Sequence, residues 1–313
     1  MNLTAALNEH RVLILIGPTA VGKTDLSLKL AEALNADIIS ADSRQVYRYM
    51  DIGTAKPTAA ELARVRHHFI DVRTPDQYYS AGEYGREARR CIDDLLSAGR
   101  RAIVVGGAGF SSQALVVGWF APPLSDPAVK EKWRRKIDED GKEAVFEFLR
   151  RIDPQTAERL HANDVQRVVR ALEVYELTGR PISSFRSGEE RPADFTPVFV
   201  GLVRERDSLR RRIEARVERM IADGLVNEVQ SLAARGYSSN LNALRTVGYQ
   251  EVFSFLNGEL AFDQMIELIK THSRRYAKRQ LTWFRRDPRV PWLDLDRLLL
   301  TEACRQIESL LNP

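Results

Sequence analysis

One segment of the sequence has the residue types and spacing needed to hold a phosphate group. Residues 17–24 read Gly-Pro-Thr-Ala-Val-Gly-Lys-Thr and fit the pattern G-x-x-x-x-G-K-[ST]. An apolar run precedes them and a helical pattern follows, which is the strand–loop–helix context that this motif requires. The glycines let backbone N–H groups converge, Lys23 adds a positive charge, and the Thr24 hydroxyl can hold Mg²⁺. The segment therefore predicts a di- or triphosphate site, without identifying the phosphate.

Asp42 is a second group that could take part in chemistry. It follows the apolar segment 36–40, which is expected to form the strand next to the phosphate loop. Because ligands of parallel sheets bind at the carboxyl ends of the strands, Asp42 is expected to face the phosphate and could accept a proton there. A helix N-cap or an indirect metal contact is equally compatible with its position.

The acid that usually ends a neighbouring strand in phosphate-loop ATPases has no counterpart here. In those enzymes the acid positions Mg²⁺. The corresponding strand, 101–105, runs directly into Gly106 and Gly107. The sequence therefore does not favour hydrolysis of a nucleoside triphosphate.

The elements that position these groups alternate between strands and helices. This alternation predicts an α/β fold with a parallel sheet flanked by helices. Near residues 122–123 the pattern becomes helical and highly charged, so we assign 1–119 and 196–313 to the core and 120–195 to a helical insertion. Within that insertion, Asp-Pro pairs at 126 and 153 are typical of helix starts, and Gly179 of a helix end. The predicted strands are 11–16, 36–40, 67–72, 101–105, 197–203 and 291–295, and one predicted helix is 81–98.

Length and composition are those of a globular protein. The chain has 313 residues, 44% of them hydrophobic, which is enough for one large or two modest domains. Cys91 and Cys304 lie far apart and form neither a metal-binding pattern nor an expected disulfide. Neither a leader nor a membrane span is predicted. We expect a cytoplasmic monomer.

The positive charge is concentrated in two stretches. Residues 270–289 contain eight Lys or Arg against one acid, with Tyr276, Trp283 and Phe284 between them. Residues 204–219 contain seven Arg against four acids. Basic stretches with aromatic residues are typical of nucleic-acid binding, while a solvated helix face or neutralisation of a leaving phosphate would give the same composition.

Taken together in order, the motifs resemble those of the bacterial tRNA dimethylallyltransferases. The phosphate loop alone is shared by many enzymes, whereas the ordered set is specific and covers nearly the whole chain. The matching blocks are 17–24, 42–47, 52–57, 67–71, 79–81, 105–107, 167–173, 244–249 and 278–286.

The resemblance implies transfer of a dimethylallyl group from dimethylallyl diphosphate to N6 of an adenosine in tRNA. That adenosine lies 3′ of the anticodon in tRNAs that read codons starting with U, and diphosphate leaves. Mg²⁺ on Thr24 would assist, Asp42 would take the N6 proton, and Arg216, with Arg212 as the second choice, would contact the leaving group. The implied diphosphate ligands are Gly17, Pro18, Thr19, Ala20, Val21, Gly22, Lys23, Thr24 and Arg216.

The resemblance also implies contacts with the tRNA anticodon stem-loop. Core packing remains an alternative for Trp283 and Phe284. The chain has Ala108 and Ser111 where the family usually has Thr and Tyr, which puts the contact at Ala108 in doubt. The implied contacts are Asp42, Ser43, Arg44, Gln45, Ala108, Lys130, Gln166, Arg167, Val168, Val169, Arg170, Thr246, Val247, Gly248, Tyr249, Gln250, Glu251, Gln280, Leu281, Thr282, Trp283, Phe284, Arg285, Arg286 and Asp287.

Three other functions are compatible with parts of the pattern. An isopentenyltransferase acting on free adenine nucleotides would share the loop and Asp42, but would need neither the insertion nor the basic block at 278–286. A metabolite kinase would need ATP and an arginine-rich lid. An RNA-binding module with a relic nucleotide site would have no reason to keep Lys23, Thr24 and Asp42 together.

Overall fold

The computed structural model describes residues 10–107, 109, 114–116, 118, 125–185 and 193–312. Its strands are β1 Arg11–Ile16, β2 Ala36–Ser40, β3 His67–His68, β4 Arg101–Gly106, β5 Thr196–Val203 and β6 Trp292–Asp294. Its helices are α1 Lys23–Leu34, α2 Ala59–Arg64, α3 Ala81–Ser97, α4 Pro127–Asp140, α5 Lys142–Ile152, α6 Pro154–Ala157, α7 Val165–Thr178, α8 Arg206–Ala222, α9 Leu225–Ala234, α10 Tyr249–Leu256, α11 Phe262–Phe284 and α12 Leu300–Leu311.

These strands form one parallel sheet in the order β3-β2-β4-β1-β5-β6, which confirms the predicted fold class. β1 is paired on both sides, and Leu15 lies opposite Val105 on β4 and Val200 on β5. The phosphate loop and Asp42 both follow carboxyl ends of strands, so the topology brings them to the same edge of the sheet.

Helices cover both faces of the sheet. Leu13 and Leu15 of β1 pack in one apolar cluster with α1, α8 and α12, while Ile14 and Ile16 pack in another with α3. This alternation follows from the two-residue period of a strand, and it explains why β1 is apolar from Val12 to Ile16. A third cluster joins residues 46–50 to α8, α9, α10 and α11.

The predicted strand at 67–72 was wrong in length. Only His67 and His68 pair with β2. Phe69 and Asp71 have φ angles of 64° and 56°, in the left-handed region that ends an extended strand. The segment turns back instead, and the Asp71 amide donates to the Gln45 carbonyl.

Helices α4 to α7 form a unit with an apolar cluster of its own, in which Trp133, Phe146 and Leu172 are buried. The helix signals in this unit are confirmed, because the carboxylates of Asp126 and Asp153 accept the amides of Ala128 and Thr156 at 2.7 and 3.0 Å. Gly179 ends α7 at a φ of 68°. In the described parts of the chain, no helix is both long and apolar enough to cross a membrane.

Candidate active site

The carbonyl oxygens of the phosphate loop are held by cationic side chains. Lys23 Nζ donates to the carbonyls of Gly17 and Pro18 at 3.0 and 2.9 Å. Arg212 Nε donates to the Ala20 carbonyl at 2.8 Å, and Arg204 Nε donates to the Val21 carbonyl at 2.9 Å. With these four carbonyls turned toward cations, the loop presents more positive charge to an incoming anion.

The amide groups at the start of α1 are available to a ligand. Gly22 precedes the helix with a φ of 112°, a conformation that favours glycine. In the described parts of the chain, the amides of Gly22, Lys23 and Thr24 have no protein acceptor. Unpaired amides and the helix dipole favour anion binding at this terminus. Thr19 differs, because its amide already donates to Gln280 Oε1 at 2.9 Å.

A second cation, Arg216, lies close to Lys23 at this end of α1. Burial and, to a smaller extent, the nearby Arg216 lower the pKa of Lys23 to about 8, with Asp42 opposing both effects. Burial also lowers the pKa of Arg216, against the influence of Asp42 and Tyr276. Arg216 has no ion pair or hydrogen bond within the described residues, whereas Arg212 is engaged by the loop. Of the two arginines considered from the sequence, Arg216 is the one with a guanidinium free for a ligand.

Asp42 is both a turn cap and a member of this cluster. Its Oδ1 accepts the amides of Arg44 and Gln45 at 2.8 and 3.3 Å, as in the capping alternative. Its Oδ2 has no hydrogen bond within the described residues. The carboxylate also influences the pKa of Lys23, Arg216 and Tyr276. One oxygen therefore fixes the side chain and leaves the other to accept a proton.

Two residues of this region were not identified from the sequence as part of the site. Arg204 directly follows β5, so the reasoning that places Asp42 at a strand end would also have found it. Tyr276 lies on α11 near Asp42 and Arg216, and burial and Asp42 raise its pKa to about 12. Tyr276 belongs to the basic aromatic stretch, but the sequence does not show that it faces the anion site.

The chain matches the family model described as "IPP transferase" over residues 45–287. It belongs to that family. It is 48% identical to tRNA dimethylallyltransferase 1 of Citrifermentans bemidjiense over 96% of its own length and 97% of the relative's. It is 44% identical to the tRNA dimethylallyltransferase of Pelotomaculum thermopropionicum over 94% of each chain.

Solved structures support the same assignment. The tRNA isopentenylpyrophosphate transferase of Bacillus halodurans is 36% identical and superposes with a TM-score of 0.71 over 97% of both chains. A eukaryotic dimethylallyltransferase acting on tRNA is 27% identical and gives a TM-score of 0.78 over 95% of this chain and 77% of the other.

Two of the sequence blocks that resemble the family, 52–57 and 244–249, are linked by hydrogen bonds that stabilise the fold. Glu228 accepts the amides of Asp51, Ile52 and Gly53 at 2.7–3.2 Å and the Tyr249 hydroxyl at 2.6 Å. Burial holds the pKa of Tyr249 well above its ordinary value. The block at 52–57 and the tyrosine of the block at 244–249 are therefore held together by one part-buried carboxylate.

The described residues that were expected to contact RNA fall into three groups by the solvent exposure that they have in this IPP transferase-family structure. Val168 and Val169 pack inside the helical unit and Phe284 in the sheet core, so their side chains are not available to RNA in this conformation. Ala108 lies outside the described residues. Exposed are Ser43, Gln166, Arg167, Gln250, Thr282, Arg285 and Arg286; half-buried are Asp42, Arg44, Gln45, Lys130, Arg170, Thr246, Val247, Leu281, Trp283 and Asp287; buried are Val168, Val169, Gly248, Tyr249, Glu251, Gln280 and Phe284.

Several of the polar side chains in this set already have internal partners. The Gln45 side-chain amide donates to the Ala55 carbonyl at 3.0 Å, and Arg44 donates to the Asn242 carbonyl at 2.7 Å. Lys130 and Arg170 lie beside Glu173. RNA contact by these side chains stays a prediction, and it would require exchange of these bonds.

Proposed function

We propose that this protein transfers a dimethylallyl group from dimethylallyl diphosphate to N6 of the adenosine 3′ of the anticodon, in tRNAs that read codons starting with U. The proposal includes a cytoplasmic monomer, as expected from the sequence. It is supported by the family membership and by the names of the relatives, which act on tRNA.

The observation that carries the proposal is that Asp42 lies near Lys23 and Arg216, two cations that can bind an anion. Lys23 and Arg216 border the free amides of α1, and Asp42 is close enough to raise the pKa of both. A carboxylate next to a diphosphate site is suited to taking a proton from a nucleophile while the diphosphate leaves.

The reaction assigns a separate task to each group. The N6 lone pair forms a bond to the allylic C1 as the C1–O bond breaks, and the electron pair of that bond goes to the diphosphate. The amides of Lys23 and Thr24, the Lys23 ammonium and the Arg216 guanidinium stabilise this growing negative charge. Asp42 Oδ2 accepts the N6 proton, which makes an amine conjugated to a purine ring a better nucleophile.

The residues present fit a Mg²⁺ ion that is held mainly by the diphosphate. The Thr24 side chain is exposed at the start of α1 and its hydroxyl makes no hydrogen bond within the described residues, so it can serve as an oxygen ligand. In those residues no three acidic, His or Cys side chains cluster as a metal site. Mg²⁺ keeps several waters and binds through substrate phosphates, so one hydroxyl suffices. When bound, it would neutralise charge on the leaving group.

The RNA side of the proposal rests on the exposed end of α11 and the residues after it. Arg285 and Arg286 are exposed, and the Arg286 guanidinium lies 5.4 Å from the centre of the Trp283 ring. Exposed arginines supply phosphate contacts, and arginine with an aromatic ring is a common platform for an unpaired base. Bases of an anticodon loop are only partly paired, so flipping one into the site costs less than in a duplex.

The deciding experiment is transfer of labelled dimethylallyl diphosphate with Mg²⁺ to unmodified tRNA and, separately, to AMP. We expect label in tRNA alone. Lys23→Ala should abolish transfer, while Lys29→Ala, on the exposed side of the same helix, should not. Label in AMP alone would replace the proposal by a free-nucleotide prenyltransferase, and label in neither would reject prenyl transfer.

A further inference from the structure

The Gln280 side chain connects two backbone segments at the edge of the active site. Its Oε1 accepts the Thr19 amide of the phosphate loop at 2.9 Å, and its Nε2 donates to the Gly107 carbonyl at 2.9 Å. Gln280 is 7% exposed. Both ends of its amide are therefore used inside the protein.

The two segments that Gln280 joins belong to different parts of the site. Thr19 lies in the loop after β1, and Gly107 directly follows β4. Gly106, the last residue of β4, lies so close to Ala41 that a Cβ on Gly106 would collide with the Ala41 carbonyl. Ala41 is the residue directly before Asp42. A Cβ at Gly107 would collide with Gln280 Nε2. The bridge thus spans the phosphate loop and the backbone that supports Asp42.

We infer that Gln280 is a positioning residue that fixes the phosphate loop against the strand end beside Asp42, so that the diphosphate and the general base keep their separation. The inference rests on the proposed use of the loop for a diphosphate. It differs from the expectation that Gln280 contacts tRNA, because the bonds that it makes are to the loop and to Gly107.

The geometry explains why an amide is required at this position. The Thr19 N–H needs an acceptor and the Gly107 carbonyl needs a donor, and a primary amide offers both at its two ends. Losing both would leave the buried Gly107 carbonyl and the part-buried Thr19 N–H of the phosphate loop without these partners. Gln280 also lies one turn after Tyr276 on α11, so the helix carrying the proposed RNA-contact residues is tied to the loop.

Two substitutions test the inference through binding of inorganic pyrophosphate with Mg²⁺, which requires neither tRNA nor turnover. Gln280→Leu has a similar volume and removes both bonds, so we expect pyrophosphate affinity to fall about tenfold. Gln280→Glu keeps the acceptor for Thr19 but, when ionised, cannot donate to Gly107. Protonation restores that donor, so its affinity relative to wild type should recover as pH falls from 7 to 5.

The readouts separate positioning from packing and from RNA contact. We expect kcat to fall with pyrophosphate affinity while the KM for tRNA changes less than about twofold. Gln306→Leu and Gln306→Glu, at an exposed position on α12, serve as matched controls without effect. If Gln280→Leu does not fold, the pH response of Gln280→Glu decides the question alone.

Two results would overturn the inference. Pyrophosphate affinity equal to wild type with a raised KM for tRNA would make Gln280 an RNA contact. A Gln280→Glu defect that is constant from pH 7 to 5 would make it a packing residue. If wild type transfers no dimethylallyl group to tRNA yet pyrophosphate binding still depends on Gln280 as described, the proposed function fails while the inference stands.

Discussion

The phosphate loop and the helical unit use their cations in opposite ways. Around the loop, Lys23 and Arg212 bind backbone carbonyls, while Arg204 binds the Val21 carbonyl and also pairs with Asp296. Arg216 has no protein partner within the described residues. In the helical unit, the fully buried carboxylate of Glu173 lies 2.6 Å from Arg170 and 3.6 Å from Lys130, and also accepts the amide of Asp126. The arrangement around the loop leaves positive charge available to a ligand, whereas in the helical unit Glu173 neutralises the charge of Arg170 and Lys130.

The difference shows that cation content alone does not locate a binding site. Both regions are rich in Lys and Arg, but neutralisation by a buried carboxylate reduces the field that a distant anion would experience. Cations that form no ion pair within the described residues, such as Lys23 and Arg216, favour anion binding at the N-terminus of α1. The contrast between the phosphate loop and the helical unit can be tested by substitutions in both regions and at the end of α11.

The largest effect is expected at Asp42. Asp42→Asn keeps an oxygen for the amides of Arg44 and Gln45 but removes the base, so turnover should fall about 10²–10⁴-fold with tRNA binding largely kept. Asp42→Ala removes base and cap together, and its turnover should be no higher. Single-turnover transfer from labelled dimethylallyl diphosphate measures both. Wild-type turnover by Asp42→Asn would leave Asp42 with a capping role only.

The next largest effect separates the two arginines of α8. Arg216→Ala should lower turnover about 10²-fold and weaken pyrophosphate binding, because a cation aimed at the leaving group is lost. Arg212→Ala should cost less than tenfold, since Arg212 acts through the Ala20 carbonyl. Calorimetric titration with pyrophosphate compares the two directly. The reverse ranking would move the leaving-group contact to Arg212.

The pKa of Lys23 predicts a pH dependence of about tenfold per pH unit. Its ammonium binds the anion, and its pKa in the free protein is about 8. Pyrophosphate affinity relative to that of Lys23→Met should therefore be steady below pH 8 and weaken above it, because Lys23 must then take up a proton on binding. The pKa of Lys23 in the folded protein is below its ordinary value of 10.5. Burial of the charged side chain therefore lowers the free energy of unfolding below pH 8, and this loss is relieved as the pH rises above 8. Calorimetry in buffers of different ionisation enthalpy measures the proton uptake, which Lys23→Met should abolish.

Replacing Arg285 and Arg286 by Ala should affect RNA alone. Each lost phosphate contact should reduce the slope of log affinity against log salt by about 0.7–0.9, weakening tRNA binding severalfold. Pyrophosphate affinity should not change. Filter binding at several salt concentrations gives the slope, and a slope equal to wild type would return these residues to the role of a solvated surface.

The smallest effect on the active site is expected from Glu173→Gln. This change removes the buried charge beside Lys130 and Arg170, so the free energy of unfolding should fall by about 2 kcal/mol. Pyrophosphate affinity should stay within about twofold. Glu147→Gln, which removes an exposed pair with Arg150, is the matched control with almost no cost. Urea denaturation tests the stability, and a large loss of pyrophosphate affinity would show that the two regions are coupled.

The sequence was sufficient to predict the parts of the site that depend on local patterns. The loop motif, the position of Asp42 after β2 and the parallel sheet all follow from short segments with a clear period. The predicted strand at 67–72 was too long because two non-glycine residues in it adopt positive φ angles, which an apolar pattern does not reveal.

Contacts between distant segments could not be predicted. Gln280 and Thr19 are 261 positions apart, and Arg212 and Ala20 are 192 apart. The sequence shows that Gln280 lies within a basic aromatic stretch, but not which backbone groups it contacts. For the same reason Glu228 was not recognised as the acceptor for residues 51–53, although it is an ordinary acid on an amphipathic helix.

The double pairing of β1 has a consequence for how tightly the site can hold its substrate. A strand hydrogen-bonded on both sides opens only in large unfolding events, so its amides should exchange with solvent among the slowest in the chain. The phosphate loop begins where that slowly exchanging strand ends. Little chain entropy remains to be lost there on binding, so more of the attraction between loop and diphosphate is retained as affinity.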